Sequence, residues 1–156
     1  LVDKLSGIIT FLLTYFAFSI TSWIFPMDRK WLESLDKPAW SPPGSVIGLA
    51  WVVIFGLISL AVALLQEKIG WRRLGGLWKG VFIANYLFNQ LFIIGQSFSR
   101  NLLLSFLDTA AIAVTAFVLV FVTWSYSRLA SILFIPYALW SGFATFLSYA
   151  IYRLNR

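Results

Sequence analysis

"SRNLLLSFLDTAAIAVTAFVLVFVTWSYSR", residues 99–128, contains one long apolar run from Leu102 to Trp124 broken by a single charge, Asp108. A helix that crosses a bilayer needs ~20 mostly apolar residues, and this run meets that length. The run lacks the alternation of apolar and polar residues expected of ~10-residue barrel strands. Its flanks, Ser99-Arg100-Asn101 and Ser125 to Arg128, are very short. Connections that short join only antiparallel helical neighbours. The segment therefore predicts one span of an up-down helix bundle in lipid.

Working outward, four more stretches have the same character: about 5–25, 42–65, 78–98 and 129–152. With 102–124 they predict an all-α, integral membrane bundle of five transmembrane helices in one domain, residues 1–156, with a structured first loop at 26–41. The first stretch is too long for a signal-peptide core and has no Ala-x-Ala-like site before Pro26, so it reads as a retained helix. An odd number of spans puts the two chain ends on opposite sides. The twelve Lys and Arg residues divide evenly between the two sides, which leaves the positive-inside rule nothing to act on.

Composition agrees. Sixty per cent of residues are hydrophobic and 12% are charged, about half the usual ~25%, and the mean hydropathy is +0.85. There is no histidine and no cysteine. Disulfides, thiolate nucleophiles, Ser-His catalysis and ordinary zinc or haem ligation are thereby excluded, and no metal site is expected. The net charge of +6 is spread over short connections without a binding motif, so nucleic acid is not an expected partner. Membrane lipid is.

The loop "PMDRKWLESLDKPAWSPPG" (26–44) is the most specific stretch. Asp28 can cap a short helix through "RKWLESLD", with Trp31 and Leu35 on one face. Pro38 stops that helix. Ser41-Pro42 reads as a hydroxyl cap followed by proline at the first position of the next helix. Two readings of this stiff loop stay open on the residues alone. In one its tryptophans sit as interfacial anchors; in the other Trp31 and Trp40 fold over the bundle as a lid.

Of eight tryptophans, Trp23, Trp71, Trp78 and Trp124 lie near span ends, where an amphipathic indole is expected. Trp51 and Trp140 lie roughly 13 Å and 16 Å into their helices at ~1.5 Å per residue, where an indole N–H needs a partner or a ligand. Asn85, Asn89, Phe92 and Gln96 share one helix face, which should point into the bundle rather than at lipid. Interhelical hydrogen bonding is the plain reading of that stripe, and ligand contact the sharper one. Gln90 lies off the face. Ser141, Thr145 and Ser148 line one side of the last span, with Trp140, Ala144 and Leu147 adjoining. Asp108 can cap, pair or stay neutral. Together these residues describe an interior of aromatic faces with a few amides and hydroxyls, suited to a large, flat, mostly apolar ligand. No chain of acids crosses the membrane as an ion relay requires.

Several stretches in this order resemble the translocator protein family, also called tryptophan-rich sensory proteins or peripheral-type benzodiazepine receptors, and look closest to its bacterial branch. They are "KPAWSPPG" (37–44) with Trp51 after it, "ANYLFNQLF" (84–92), "FLDTA" (106–110) and "IPYALWSGFATFLSYAIYRLN" (135–155). The resemblance covers nearly the whole chain. It implies a five-helix protein, often a homodimer, that binds porphyrins such as protoporphyrin IX and benzodiazepine-site ligands between its helices. It also implies that the first loop closes over that pocket, with Trp40 as a wedge and Trp31 nearer the ligand. The ligand-binding set it implies is Ser22, Trp31, Ile47, Trp51, Asn85, Asn89, Gln90, Phe92, Thr109, Trp140, Phe143 and Ala144. The chain departs from many members at "LFNQ" (87–90) and at Ser148, where proline and tryptophan, and asparagine, are common.

Three functions follow from that resemblance. The first is a receptor for porphyrin-like tetrapyrroles, which requires no resident cofactor; Arg29, Lys30 and Lys37 are placed to meet propionates. The second is light-dependent oxidative breakdown of protoporphyrin, in which Trp51 and Trp140 would be the reactive indoles. The third is a carrier of porphyrin, sterol or another lipid-like molecule, for which no energy-coupling motif is present. Leu147, Tyr149 and Arg153 fit a loose cholesterol pattern, and equally fit an ordinary span end with an interfacial tyrosine and arginine.

Overall fold

The computed structural model describes residues 2–156, with side chains from Ser6 onward. Its helices are α1 (Val2–Ile24), α2 (Arg29–Ser34), α3 (Gly44–Lys68), α4 (Gly76–Phe98), α5 (Leu102–Trp124) and α6 (Arg128–Leu154), with a 3-10 turn at Trp71–Arg73 and no strand among the described residues. All except α2 are long and apolar enough to cross a membrane. The all-α membrane bundle predicted from the sequence is what forms.

Local chemistry sets the helix ends. Asn101 Oδ1 accepts the Leu104 N–H at 3.0 Å, and Ser127 Oγ accepts the Ala130 N–H at 3.3 Å. Each cap satisfies a donor that a helix N-terminus otherwise leaves free. After α3, Gly70 takes φ +83°, a left-handed value that glycine tolerates and that turns the chain into the Trp71–Arg73 segment.

The five long helices close into a ring. α1 packs on α3, α3 on α6, α6 on α5 and α5 on α4, while α4 meets α1 along a much thinner contact. Phe18, Ile58, Leu65, Leu119 and Phe134 are sealed in the centre. Large apolar residues such as Leu49, Phe121 and Leu139 stand on the outer surface, more than half exposed. In water that surface would drive aggregation. In a bilayer it faces hydrocarbon.

The first loop is strapped across one end of this ring. Asp28 caps α2 as expected, accepting the Trp31 N–H at 3.1 Å, and its carboxylate also pairs with Arg100 in the α4–α5 connection. Hydrogen bonding by the Trp31 backbone, followed by the Arg100 guanidinium, holds the Asp28 carboxyl below its ordinary value of 3.8. Farther along, the Asp36 N–H donates to Asn155 Oδ1 at 2.9 Å and Asn155 Nδ2 donates to the Asp36 carbonyl at 2.8 Å. Trp40 then stacks on Phe146 at 5.3 Å and meets Phe143 edge-on at 6.0 Å. The loop is thus tied at three points, the last two on α6.

Two sequence expectations are corrected here. The short helix ends at Ser34, with Leu35 already extended, rather than continuing to Pro38. Asn155 takes the Asp36 backbone groups that another helical turn would have used, and Leu35 is not in helical register with Trp31. The third helix begins at Gly44, not at Pro42, and Ser41 does not cap it. A residue before proline is pushed out of the α region, so Pro42, preceding Pro43, cannot start a helix. Pro43 instead sits extended at the cap, and its carbonyl accepts from Val46 and Ile47.

Candidate functional site

The polar stripe on α4 does face the interior. Asn85, Asn89 and Gln96 are all buried, and Phe92 is half-buried against the core. Asn85 Nδ2 donates to the Ile112 carbonyl at 3.2 Å and to Thr115 Oγ1 at 2.8 Å, both on α5. The Tyr137 hydroxyl on α6 donates to Asn85 Oδ1 at 2.7 Å, and Asn89 Nδ2 lies 2.7 Å from the Tyr137 oxygen, which accepts from it. One network therefore links α4, α5 and α6 and saturates the Asn85 amide. Gln96 adds a second link nearer the loop end, donating to Ser105 Oγ. In hydrocarbon such groups have no water to fall back on, so these links hold the helices in register.

Tyr137 was not among the sequence-derived site residues, yet it is the hub. It is completely buried, and Trp51 on α3 meets its ring edge-on at 6.4 Å while also contacting Phe55 at 5.7 Å. Trp51 is half-buried. Trp140 and Ser141 follow Tyr137 by three and four residues and so continue its side of α6. Trp140 contacts Phe143 at 5.2 Å, and Phe143 in turn meets Trp40 of the loop. Trp51, Tyr137, Asn85 and Asn89 are thus contiguous, and an aromatic chain runs from Trp140 through Phe143 to the loop.

Several buried polar atoms in this bundle have no partner within the protein. Trp140 Nε1, Ser141 Oγ and both amide atoms of Gln90 are inaccessible and unbonded. A buried group left unsatisfied costs about 1–3 kcal/mol. Trp140 Nε1 and Ser141 Oγ on α6, and the two Gln90 amide atoms on α4, are donors and acceptors that the protein itself leaves unused.

Other expected residues are placed differently. Ile47 and Ala144 are half-buried, and Trp31 is half-buried with its backbone in the Asp28 cap. Thr109 is buried but bonds back to the Ser105 and Phe106 carbonyls. Ser22 is exposed and bonds to the Ser19 carbonyl, whereas its neighbour Thr21 is buried with an unpartnered hydroxyl. Asp108 neither caps α5, which Asn101 does, nor makes an ion pair among the described residues. It lines a cleft of about 160 Å³ between α4 and α5 with Phe92 and Ser105. Trp78 is not an interfacial anchor: it is 1% exposed, stacks on Phe82 at 5.0 Å and donates from Nε1 to Thr123 Oγ1 at 2.8 Å.

The model of the TspO/MBR family matches residues 8–153. The chain belongs to the TspO/MBR family. It is 43% identical to the Tryptophan-rich protein TspO of Bacillus cereus over 97% of this chain and 98% of that one. It is equally similar, at 43%, to the membrane protein YtaB of Bacillus subtilis, over 93% of each chain. A more distant relative is the human Translocator protein, 28% identical over 81% of this chain and 75% of its own. This TspO/MBR chain is an integral, multi-pass membrane protein, and its family membership supports a membrane receptor or binding role.

In this TspO/MBR chain the cholesterol-like pattern does not form one lipid-facing surface. Leu147 is buried, while Tyr149 and Arg153 are exposed and meet each other at 3.4 Å. Residues two apart on a helix point to opposite sides.

Proposed function

We propose that the protein is a receptor for a flat, porphyrin-like tetrapyrrole, held between α3, α4 and α6 under the first loop. Benzodiazepine-site ligands would occupy the same space. The observation that carries this reading is the pair of unpartnered buried groups Trp140 Nε1 and Ser141 Oγ, three and four residues along α6 from the Tyr137 ring that Trp51 meets, with the Gln90 amide of α4 unpartnered as well. A flat apolar ligand with a few polar atoms would satisfy those groups and lie against the indoles. The loop adds exposed Arg29, Lys30 and Lys37, which suit carboxylates at the ligand's edge.

Titration of protoporphyrin IX into purified protein in the dark tests the reading through tryptophan fluorescence. Saturable quenching is expected, weakened at least about tenfold in concentration by Trp51→Phe with Trp140→Phe, since two lost contacts of ordinary size exceed 1.4 kcal/mol. No quenching, or quenching unchanged in that variant, would overturn it. A benzodiazepine-site ligand is expected to reverse the quenching.

The unbonded Trp140 indole favours a photochemical extension. An excited porphyrin can take one electron from an adjacent indole and pass it to dioxygen, which is reduced to superoxide beside the ring while the indole is left as its one-electron-oxidised radical. Illumination of the bound complex is expected to bleach the porphyrin band faster than free porphyrin in the same detergent. Equal rates would leave a passive receptor.

A further inference from the structure

The weak junction of the ring carries a second site, at the opposite end from the loop. Where α4 meets α1 the helices leave a groove of about 330 Å³, lined by Leu13, Ala17 and Phe18 of α1, Phe82 and Tyr86 of α4, and Trp71 of the 3-10 turn. Its walls are mostly hydrocarbon and aromatic rings, completed by Thr10 and Thr14 of α1 and Val62 of α3. Leu13 is 63% exposed, so the groove opens on the outer face of the bundle and not into its centre.

The mouth of the groove is built differently. The Trp71 N–H donates to Gln66 Oε1 at 2.8 Å, and Gln66 Nε2 donates to Ser6 Oγ at 3.3 Å, fastening the turn across α3 to α1. Trp71 is thereby held at the rim, with Lys79 Nζ 5.8 Å from its ring centre. Arg72 and Arg73 follow it directly and are exposed, as is Lys68 at the end of α3. Among the described residues none of these four cations makes an ion pair. A mostly apolar slot in the membrane that ends in an indole and several cations at headgroup level, with the Glu67 carboxylate turned aside toward Gly7 of α1, has the chemistry of an anionic amphiphile.

We propose that this groove binds one anionic phospholipid, with an acyl chain between α1 and α4 and the headgroup phosphate at Arg72, Arg73 and Lys79. The charge at the mouth argues against a second copy of the chain as occupant. A two-fold interface sets a patch against itself and would bring these cations together.

Native mass spectrometry of the whole protein, delipidated and exposed to phosphatidylglycerol or to phosphatidylcholine with identical chains, tests the site. One retained phosphatidylglycerol is expected, with a preference over phosphatidylcholine on the order of tenfold, as basic residues of this kind at a membrane surface would confer. Substituting Arg72→Gln, Arg73→Gln and Lys79→Gln together should abolish the preference, and Ala17→Phe, which fills the slot, should abolish retention of either lipid. Equal retention of both lipids by the native chain would overturn the proposal, as would unchanged phosphatidylglycerol retention in the basic-residue variant. A doubled mass that Ala17→Phe removes would also overturn it, by assigning the groove to a second copy. If Ala17→Phe does not fold, the basic-residue variant, whose changes are at the rim, decides the matter alone.

Discussion

The Tyr137 hydroxyl donates to Asn85 Oδ1 at 2.7 Å across the α4–α6 boundary, with both side chains wholly enclosed. Asn89 completes the arrangement by donating to the same hydroxyl oxygen. The aromatic ring that Trp51 touches is therefore anchored by two amides of α4, so helix register and site geometry rest on the same few atoms.

Tyr137→Phe keeps the ring and removes the hydroxyl. It leaves an Asn89 donor unpaired and the Asn85 oxygen short of its best donor in a medium without water. A loss of about 1–3 kcal/mol is expected. A lower thermal midpoint in detergent, measured by the near-ultraviolet signal, checks it; an unchanged midpoint would count against the network as a support.

Gln90→Leu should act in opposite directions on stability and binding. The native amide is buried with neither atom bonded, so an apolar side chain of similar size relieves a cost of about 1–3 kcal/mol in the free protein. If the amide serves a ligand, protoporphyrin affinity falls while the thermal midpoint holds or rises. A midpoint that drops would show that Gln90 has a structural partner.

Asn155→Ala cuts both hydrogen bonds to Asp36 and leaves Trp40 as the remaining tie between the loop and α6. Amide exchange over residues 35–41 is expected to accelerate, while the spans keep their protection. Ligand dissociation should become faster if the loop closes the site. Exchange equal to that of the native chain would assign the fastening to Trp40.

Asp28 makes the loop's attachment depend on acidity. Its folded-state carboxyl titrates below the ordinary 3.8 because the Trp31 N–H, and then Arg100, favour the charged form. The contribution is therefore fully present above about pH 4 and is lost as pH falls through the lower folded value. Exchange of the α2 amides, followed downward from pH 6 and corrected for the intrinsic rate, should rise below pH 4. Asp28→Asn keeps a capping oxygen but not the charge, and its profile should be flatter over that window.

The spans, the inward face of α4 and the Asp28 cap could be read directly from the chain. They depend on composition, a 3.6-residue period and neighbours three residues apart, all of which are local. The fates of the individual tryptophans could not be read this way. Trp78 sits near a helix end, as an interfacial anchor would, but depth along a helix says nothing about which side of it meets Thr123, 45 residues away. The Ser22–Thr21 contrast has the same cause: the resemblance implied Ser22, but adjacent positions differ by about 100° of helix rotation, and packing turned Thr21 inward instead.

The chain's apolar length alone committed it to lipid and to five spans, because a backbone in hydrocarbon must satisfy its own hydrogen bonds within helices. Which helices are neighbours, and hence that Asn155 clasps Asp36 from 119 residues away and that Tyr137 becomes the hub of three helices, arose only on packing. Such contacts depend on the rotation and order of helices around the ring, and many arrangements bury the same apolar faces equally well. Polar groups discriminate among those arrangements: most find a partner, while a few, among them Trp140 Nε1, Ser141 Oγ and the Gln90 amide, do not.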